Sequence, residues 1–274
     1  MTAIKGVVFD KDGTLYDFNA TWGAWTLGLL TEEVGDDPAR LAKLADVMGY
    51  DVANRRFRKD SIVIASTASE VADAIMPYLP PQPKAELIAR MNARAATAPQ
   101  VEAAPLADYL DGLRGIGLKL GVATNDAEAP ARAHLAASHV VDRFDFIAGY
   151  DSGFGGKPEA GQLIAFCEAT GLAPEACVMV GDSTHDLHAG RAAGMRTVAV
   201  LTGLAEAPEL APHADVVLPS IAELPTWIVA QGYAISFTTI SRARSERALT
   251  SVSDSIGRTP ITRRICKSLI KMSR

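Results

Sequence analysis

Residues Ile4-Lys5-Gly6-Val7-Val8-Phe9 run directly into Asp10-Lys11-Asp12-Gly13-Thr14-Leu15. The first six form a short apolar, β-branched run, and Asp-x-Asp-Gly is the kind of string at which such a run stops and turns. The stretch therefore reads as a strand whose carboxyl end carries two acidic residues one apart. Carboxylates so close are costly to keep ionised unless a cation lies beside them. Oxygen ligands of this kind suit Mg²⁺, which would also neutralise an incoming phosphate. Gly13 permits the tight turn that brings backbone N–H groups towards an anion. Taken alone, the string fits a strand followed by solvated surface aspartates equally well.

Working outward, similar apolar runs recur at 118–123, 144–148, 177–180, 197–200 and 215–218. Helical patterns lie between them at 105–114, 129–137, 161–170 and 187–193. Strands that alternate with helices and are apolar on both faces predict an α/β fold: a Rossmann-like parallel sheet with helices on both sides. Ligands in such sheets bind beyond the carboxyl ends of the strands. One interval breaks the alternation. Residues 16–98 show helical patterns at 21–34, 38–48, 66–78 and 84–96 and almost no strand signal. Connections are ordinarily a few residues long, so some eighty residues here predict an inserted, all-α cap subdomain over the end of the first strand. The expected domains are residues 1–16 with 99–235 as the α/β core, 17–98 as the helical cap, and 236–274 as a tail.

Three further strand ends carry polar residues. Thr124-Asn125-Asp126 follows the second core run, and its hydroxyl could either donate to a phosphoryl oxygen or cap a helix. Gly155-Gly156-Lys157-Pro158 follows the third, with Pro158 suited to begin a helix and Lys157 either reaching the strand ends or solvated. Gly181-Asp182-Ser183-Thr184-His185-Asp186 follows the fourth, with two acids four apart. Asp186 also suits the positive end of the next helix.

These four strings, in this order and with an insertion after the first, resemble the haloacid dehalogenase superfamily, whose motifs are Asp-x-Asp-Gly-Thr, Thr-Asn, Lys-Pro and Gly-Asp-x-x-x-Asp. The resemblance covers about residues 4–225. The insertion looks like the superfamily's helical first-type cap, and residues 9–15 and 181–195 look most like its phosphoglycolate-phosphatase-like members. What the resemblance implies is a Mg²⁺-dependent phosphatase acting on a small phosphorylated metabolite. Asp10 would be the nucleophile that forms an aspartyl-phosphate, and Asp12 the general acid and base. Mg²⁺ would be held by Asp10, the backbone carbonyl of Asp12 and Asp182, with Asp186 behind them. Thr124, Asn125 and Lys157 would bind phosphate or support the groups that do. Halide leaving groups need no proton, so the presence of Asp12 argues against a dehalogenase. A sugar phosphomutase, a phosphonatase using Lys43 or Lys59, and a silent binding protein with the same fold are the alternatives.

Within the cap, Arg55, Arg56, Arg58 and Lys59 form a concentrated basic run. It is either a solvated face or a set of cations that reach a substrate carboxylate. Trp22 and Trp25, three apart, belong either to the cap core or to the pocket wall. His134, His139, His185 and His188 show no metal-ligand spacing and are expected to be structural or exposed.

Composition bounds the rest. At 48% hydrophobic and 22% charged residues, the chain has ample material for a core. A net charge of −5 leaves no electrostatic footprint for nucleic acid. Cys167, Cys177 and Cys266 match neither a disulfide framework nor a zinc spacing. No apolar run is long enough for a membrane span, and the amino terminus enters a strand without a signal peptide, so a cytoplasmic protein is expected. From 236 onward, nine Lys or Arg stand against two acids and Phe237 is the only aromatic residue. Too little apolar surface is available there to offset ordering, and a disordered basic tail is expected.

Overall fold

The computed structural model of the chain describes residues 2–231, and the basic segment from 236 lies outside the described residues. Strand β1 (Gly6–Phe9) is buried along its whole length. After the Asp10–Leu15 turn, helix α1 (Phe18–Val34) starts at Asp17, whose side chain accepts from the Ala20 N–H. Helix α2 (Pro38–Val47) starts the same way at Asp37, with proline in its first turn. A hairpin of two-residue strands, β2 (Tyr50–Asp51) and β3 (Arg56–Phe57), follows. This is a departure from the all-α cap expected, because strands of two residues are too short to leave an alternating pattern. Helix α3 (Ala68–Ile75) opens on a reciprocal capping box between Thr67 and Glu70, and α4 (Lys84–Ala95) closes the insertion.

The chain then alternates as expected: α5 (Leu106–Gly115), β4 (Lys119–Ala123), α6 (Glu128–Ala137), β5 (Phe146–Ala148), α7 (Gly161–Thr170), β6 (Cys177–Gly181), α8 (Thr184–Ala192), β7 (Arg196–Val200), α9 (Ala207–Leu210), β8 (Val216–Leu218) and α10 (Leu224–Ala230). The sheet has six strands in the order β5-β4-β1-β6-β7-β8, all pairs parallel. From β1 the order runs one way to β4 and β5 and the other way to β6, β7 and β8. Such a reversal opens a crevice at the carboxyl edge of the central strands.

Alternate residues of the strands cover the two faces. Val7, Phe9, Val122 and Val180 pack with Leu110 and Ile228 on one side. Val8, Ala123 and Met179 pack with Leu163 and Phe166 on the other. Each such large side chain contributes roughly 1.5–3 kcal/mol by leaving water. The insertion has a hydrophobic cluster of its own, built on Trp22, Trp25, Leu29, Leu44, Ile75 and Leu87. Among the described residues no helix is long and apolar enough to cross a membrane.

Candidate active site

Parallel register decides which residues meet. Phe9 is level with Val122 of β4 and Val180 of β6. The residues that follow, Asp10, Thr124 and Asp182, therefore emerge along one edge, and all three are buried. Carboxylate oxygens of Asp10, Asp182 and Asp186 lie within 4.8 Å of one another. Lys157 Nζ donates to Asp10 Oδ1 at 2.5 Å and lies 2.6 Å from Asp186 Oδ1. Burial raises the Asp10 carboxyl to about 7, with Lys157 pulling against it and Asp186 and Asp12 adding to it. Asp182 is raised well above the usual carboxylate range by burial and then by Asp10 and Asp186. Burial opposes the Lys157 ammonium, but its two carboxylate partners outweigh that and hold it above the ordinary lysine range.

Three converging carboxylates against one ammonium leave an excess of negative charge in a buried place. Their oxygen-only donor set and spacing fit a hard divalent cation. The backbone is shaped around them. Gly13 has φ +83°, and a Cβ there would stand 2.3 Å from Asp182 Oδ2. At Gly203 a Cβ would be 1.6 Å from the same oxygen. Thr202 Oγ1 donates to the Gly13 carbonyl at 2.5 Å, tying this loop after β7 to the turn after β1. Thr202 and Gly203 belong to none of the four motif strings. The available signal is that 201–203 follow another apolar run of the same parallel sheet.

Asp186 serves both readings of its motif at once. Its Oδ2 accepts from the Ser183 N–H and hydroxyl, completing the capping box of α8, while Oδ1 faces Lys157. Thr124 Oγ1 accepts from the Asp126 N–H at 3.1 Å, which leaves its own proton free to donate. Asn125 is placed as a strap. Its Oδ1 accepts from the Lys157 N–H, and its two amide hydrogens reach the Lys157 and Ala65 carbonyls at 2.8 and 2.7 Å. The side chain therefore holds the lysine loop and the cap, and has no amide hydrogen left for a phosphate.

Asp12 stands apart from the carboxylate cluster, and the reason is Lys11, which the sequence reading leaves unassigned. Lys11 is completely buried. Its Nζ lies 2.8 and 2.7 Å from the two Asp12 oxygens, 3.3 Å from Asp126 Oδ2, and 5.5 Å from the Trp22 ring centre. It also lies 2.9 Å from His134 Nδ1. An ammonium can only donate, so Nδ1 accepts and the proton of this neutral imidazole is on Nε2, which donates to the Ala95 carbonyl at 2.6 Å. Burial, with Lys11 next, lowers His134 to about 4. Lys11 thus holds the Asp12 carboxylate apart from the other three, while Asp12 still lines the cleft. Lys11→Met strands two carboxylates in a buried site, so unfolding stability falls by roughly 3–5 kcal/mol and the thermal midpoint by about 10 °C. Lys11→Arg recovers part of the loss. Thermal denaturation checks this, and an unchanged midpoint in Lys11→Met contradicts the network.

The basic run of the cap does not line the cleft in this structure. Arg58 pairs with Asp46 and Asp60, and Lys59 reaches across to Glu206 of the core. Arg55 lines a separate groove beside Gly28 and Arg94, and Arg56 is exposed on β3. Trp22 and Trp25 do both things considered for them: they belong to the cap's hydrophobic cluster and also wall the cleft. His185 lines the cleft as well, while His134 is structural.

The chain has counterparts among known proteins. Residues 7–200 match the family described as haloacid dehalogenase-like hydrolase. The chain belongs to that family. A curated relative from Chromobacterium violaceum, named phosphoglycolate phosphatase, is 33% identical over 81% of this chain and 95% of its own. Another of that name, from Nitrosospira multiformis, is 29% identical over 80% of this chain and 93% of its own. Among solved structures, CbbY from Rhodobacter sphaeroides in complex with phosphate superposes with a TM-score of 0.61 at 23% identity, covering 81% of this chain and 96% of that one.

Proposed function

We propose that this hydrolase is a Mg²⁺-dependent phosphomonoesterase that works through a phospho-aspartate on Asp10. The observation that carries the reading is the convergence of Asp10, Lys157, Asp182 and Asp186 at the end of β1, beneath the cap. Asp10, Asp182 and the Asp12 carbonyl would hold the cation, with Asp186 behind them. When bound, it would keep the carboxylates ionised and offset charge on the phosphoryl oxygens.

An Asp10 oxygen attacks phosphorus while the bond to the leaving alcohol breaks, and Asp12 delivers the proton that the alkoxide needs. Water then attacks the phospho-aspartate, Asp12 takes its proton, and inorganic phosphate leaves with Asp10 restored. Lys157 steers Asp10 and, with the free Thr124 hydroxyl, meets the phosphoryl oxygens. The Asn125 amide keeps the Lys157 loop in place. The curated relatives are called phosphoglycolate phosphatases, and a small phosphomonoester is the substrate class proposed.

The test is Mg²⁺-dependent release of phosphate from p-nitrophenyl phosphate, with loss on chelation. No release under any divalent metal refutes the proposal. Asp12→Asn separates proton transfer from binding: kcat for an alkyl phosphate falls by about 10²–10⁴-fold, and that for p-nitrophenyl phosphate much less. Equal losses for the two esters remove Asp12 from the acid–base role.

A further inference from the structure

The carboxylates and Lys157 account for the floor of the cleft; its roof has a different chemistry. The cap contributes Phe18, Trp22, Trp25, Val63, Val71 and Met91 to that roof. Ser66 and Asn92 are the polar side chains it adds, and both are uncharged. Trp25 has no donor to offer a ligand, since its Nε1 donates to the Met91 carbonyl at 3.1 Å.

Residues 17–98 hold nine Lys or Arg, and none lines the cleft. Six of them, Arg40, Arg58, Lys59, Lys84, Arg90 and Arg94, are held in ion pairs elsewhere. Lys43 lies over the Tyr78 ring, Arg55 faces the separate groove, and Arg56 is exposed. On the floor five aspartates line the cleft: Lys157 is already shared between Asp10 and Asp186, and Lys11, fully buried and not part of the lining, is taken up by Asp12 and Asp126. The remaining titratable group, His185, belongs to the core loop between Asp182 and Asp186.

A leaving group bearing a carboxylate would have to place that charge against apolar side chains with no cation to meet it, which is strongly unfavourable. An uncharged alkyl or aryl group would gain by burial against the same rings. Building on the phosphatase reading, we infer that the enzyme takes phosphomonoesters of uncharged, apolar alcohols and discriminates against esters that carry a carboxylate. This separates it from the substrate in its curated relatives' name.

The experiment measures kcat/KM of the full chain with saturating Mg²⁺ on two matched pairs, with p-nitrophenyl phosphate as control. The pairs are n-propyl phosphate against 2-phosphoglycolate, and phenyl phosphate against 4-carboxyphenyl phosphate. In the second pair the carboxylated phenol is the better leaving group, so intrinsic reactivity opposes the expected ranking. The uncharged member of each pair is expected to win by about tenfold or more, a difference of roughly 1.4 kcal/mol. Met91→Arg, which supplies the missing cation, is expected to shift the ratio towards the carboxylates by about tenfold, whereas Met91→Leu keeps the parent ratio. If p-nitrophenyl phosphate is cleaved but the carboxylated esters are turned over as well or better, the inference is overturned and the phosphatase reading stands. If no ester is cleaved, the phosphatase reading fails and takes the inference with it. A folded Met91→Arg variant with the parent ratio overturns the assignment of the roof as the leaving-group site.

Discussion

Asp10→Asn is expected to lower turnover by about 10⁴-fold or more, because an amide cannot act as the nucleophile proposed for Asp10. The same substitution leaves the protein folded. Its effect on stability depends on pH, with a sign that follows from burial. The Asp10 carboxyl is raised to about 7, chiefly by desolvation. A folded-state value above the unfolded one means that the favourable contribution is complete below about 4 and is lost as pH rises through about 7. In chelator at pH 8 the parent carries an ionised, buried carboxylate that the Asn variant lacks. The variant is therefore expected to melt at or above the parent at pH 8, with the gap in its favour shrinking at pH 5. Steady-state rates and thermal melts at the two pH values check both halves. Turnover within tenfold of the parent excludes Asp10 as nucleophile. A destabilised variant at pH 8 shows that the Lys157 partnership outweighs the burial cost.

Asp182→Asn raises the Mg²⁺ concentration needed for half-maximal activity by well over tenfold, since it removes one of few anionic oxygens from the site. The parent should also be stabilised by Mg²⁺ in the absence of any substrate. At a hundredfold excess over Kd, linkage gives about 2.7 kcal/mol, or roughly 5–10 °C for a chain of this size. That gain is larger at pH 8 than at pH 5, because Asp10 and Asp182, both raised by burial, must lose their protons before they can ligate. Melting curves with and without Mg²⁺ measure it. An Asp182→Asn variant with the parent's Mg²⁺ titration and the parent's thermal gain removes Asp182 from the cation site.

Much of the frame is legible because it rests on local chemistry. The run of Val7, Val8 and Phe9 has to be covered on both faces, and the sheet provides that. Asp17, Asp37, Thr67 and Ser183 begin helices because their side chains satisfy the first free N–H groups, a relation spanning two or three residues. The motif strings lie at strand ends for the same reason: acids, glycines and a proline are what a strand-to-helix turn needs. The two-residue strands of the cap hairpin fall below that threshold, since a pattern of period two cannot show itself in two residues.

The sequence by itself therefore determined an α/β fold with a helical insertion and an acidic edge, together with the family those strings resemble. Which partners the edge residues meet was decided only by tertiary structure. Lys11 is an unremarkable lysine in a turn until folding brings His134, 123 positions away, to its ammonium. Thr202 and Gly203 matter because β7 ends beside Asp182, and Asn125 is a strap because Ala65 and Lys157 arrive on either side of it. The basic run 55–59 could have reached the cleft on composition alone, yet ion pairs within the cap and to the core, or exposure, hold its members elsewhere. The reason is physical. Turn chemistry and caps act over a few bonds and are written in neighbouring residues, whereas burial and charge pairing depend on distances that exist only after the chain has closed on itself.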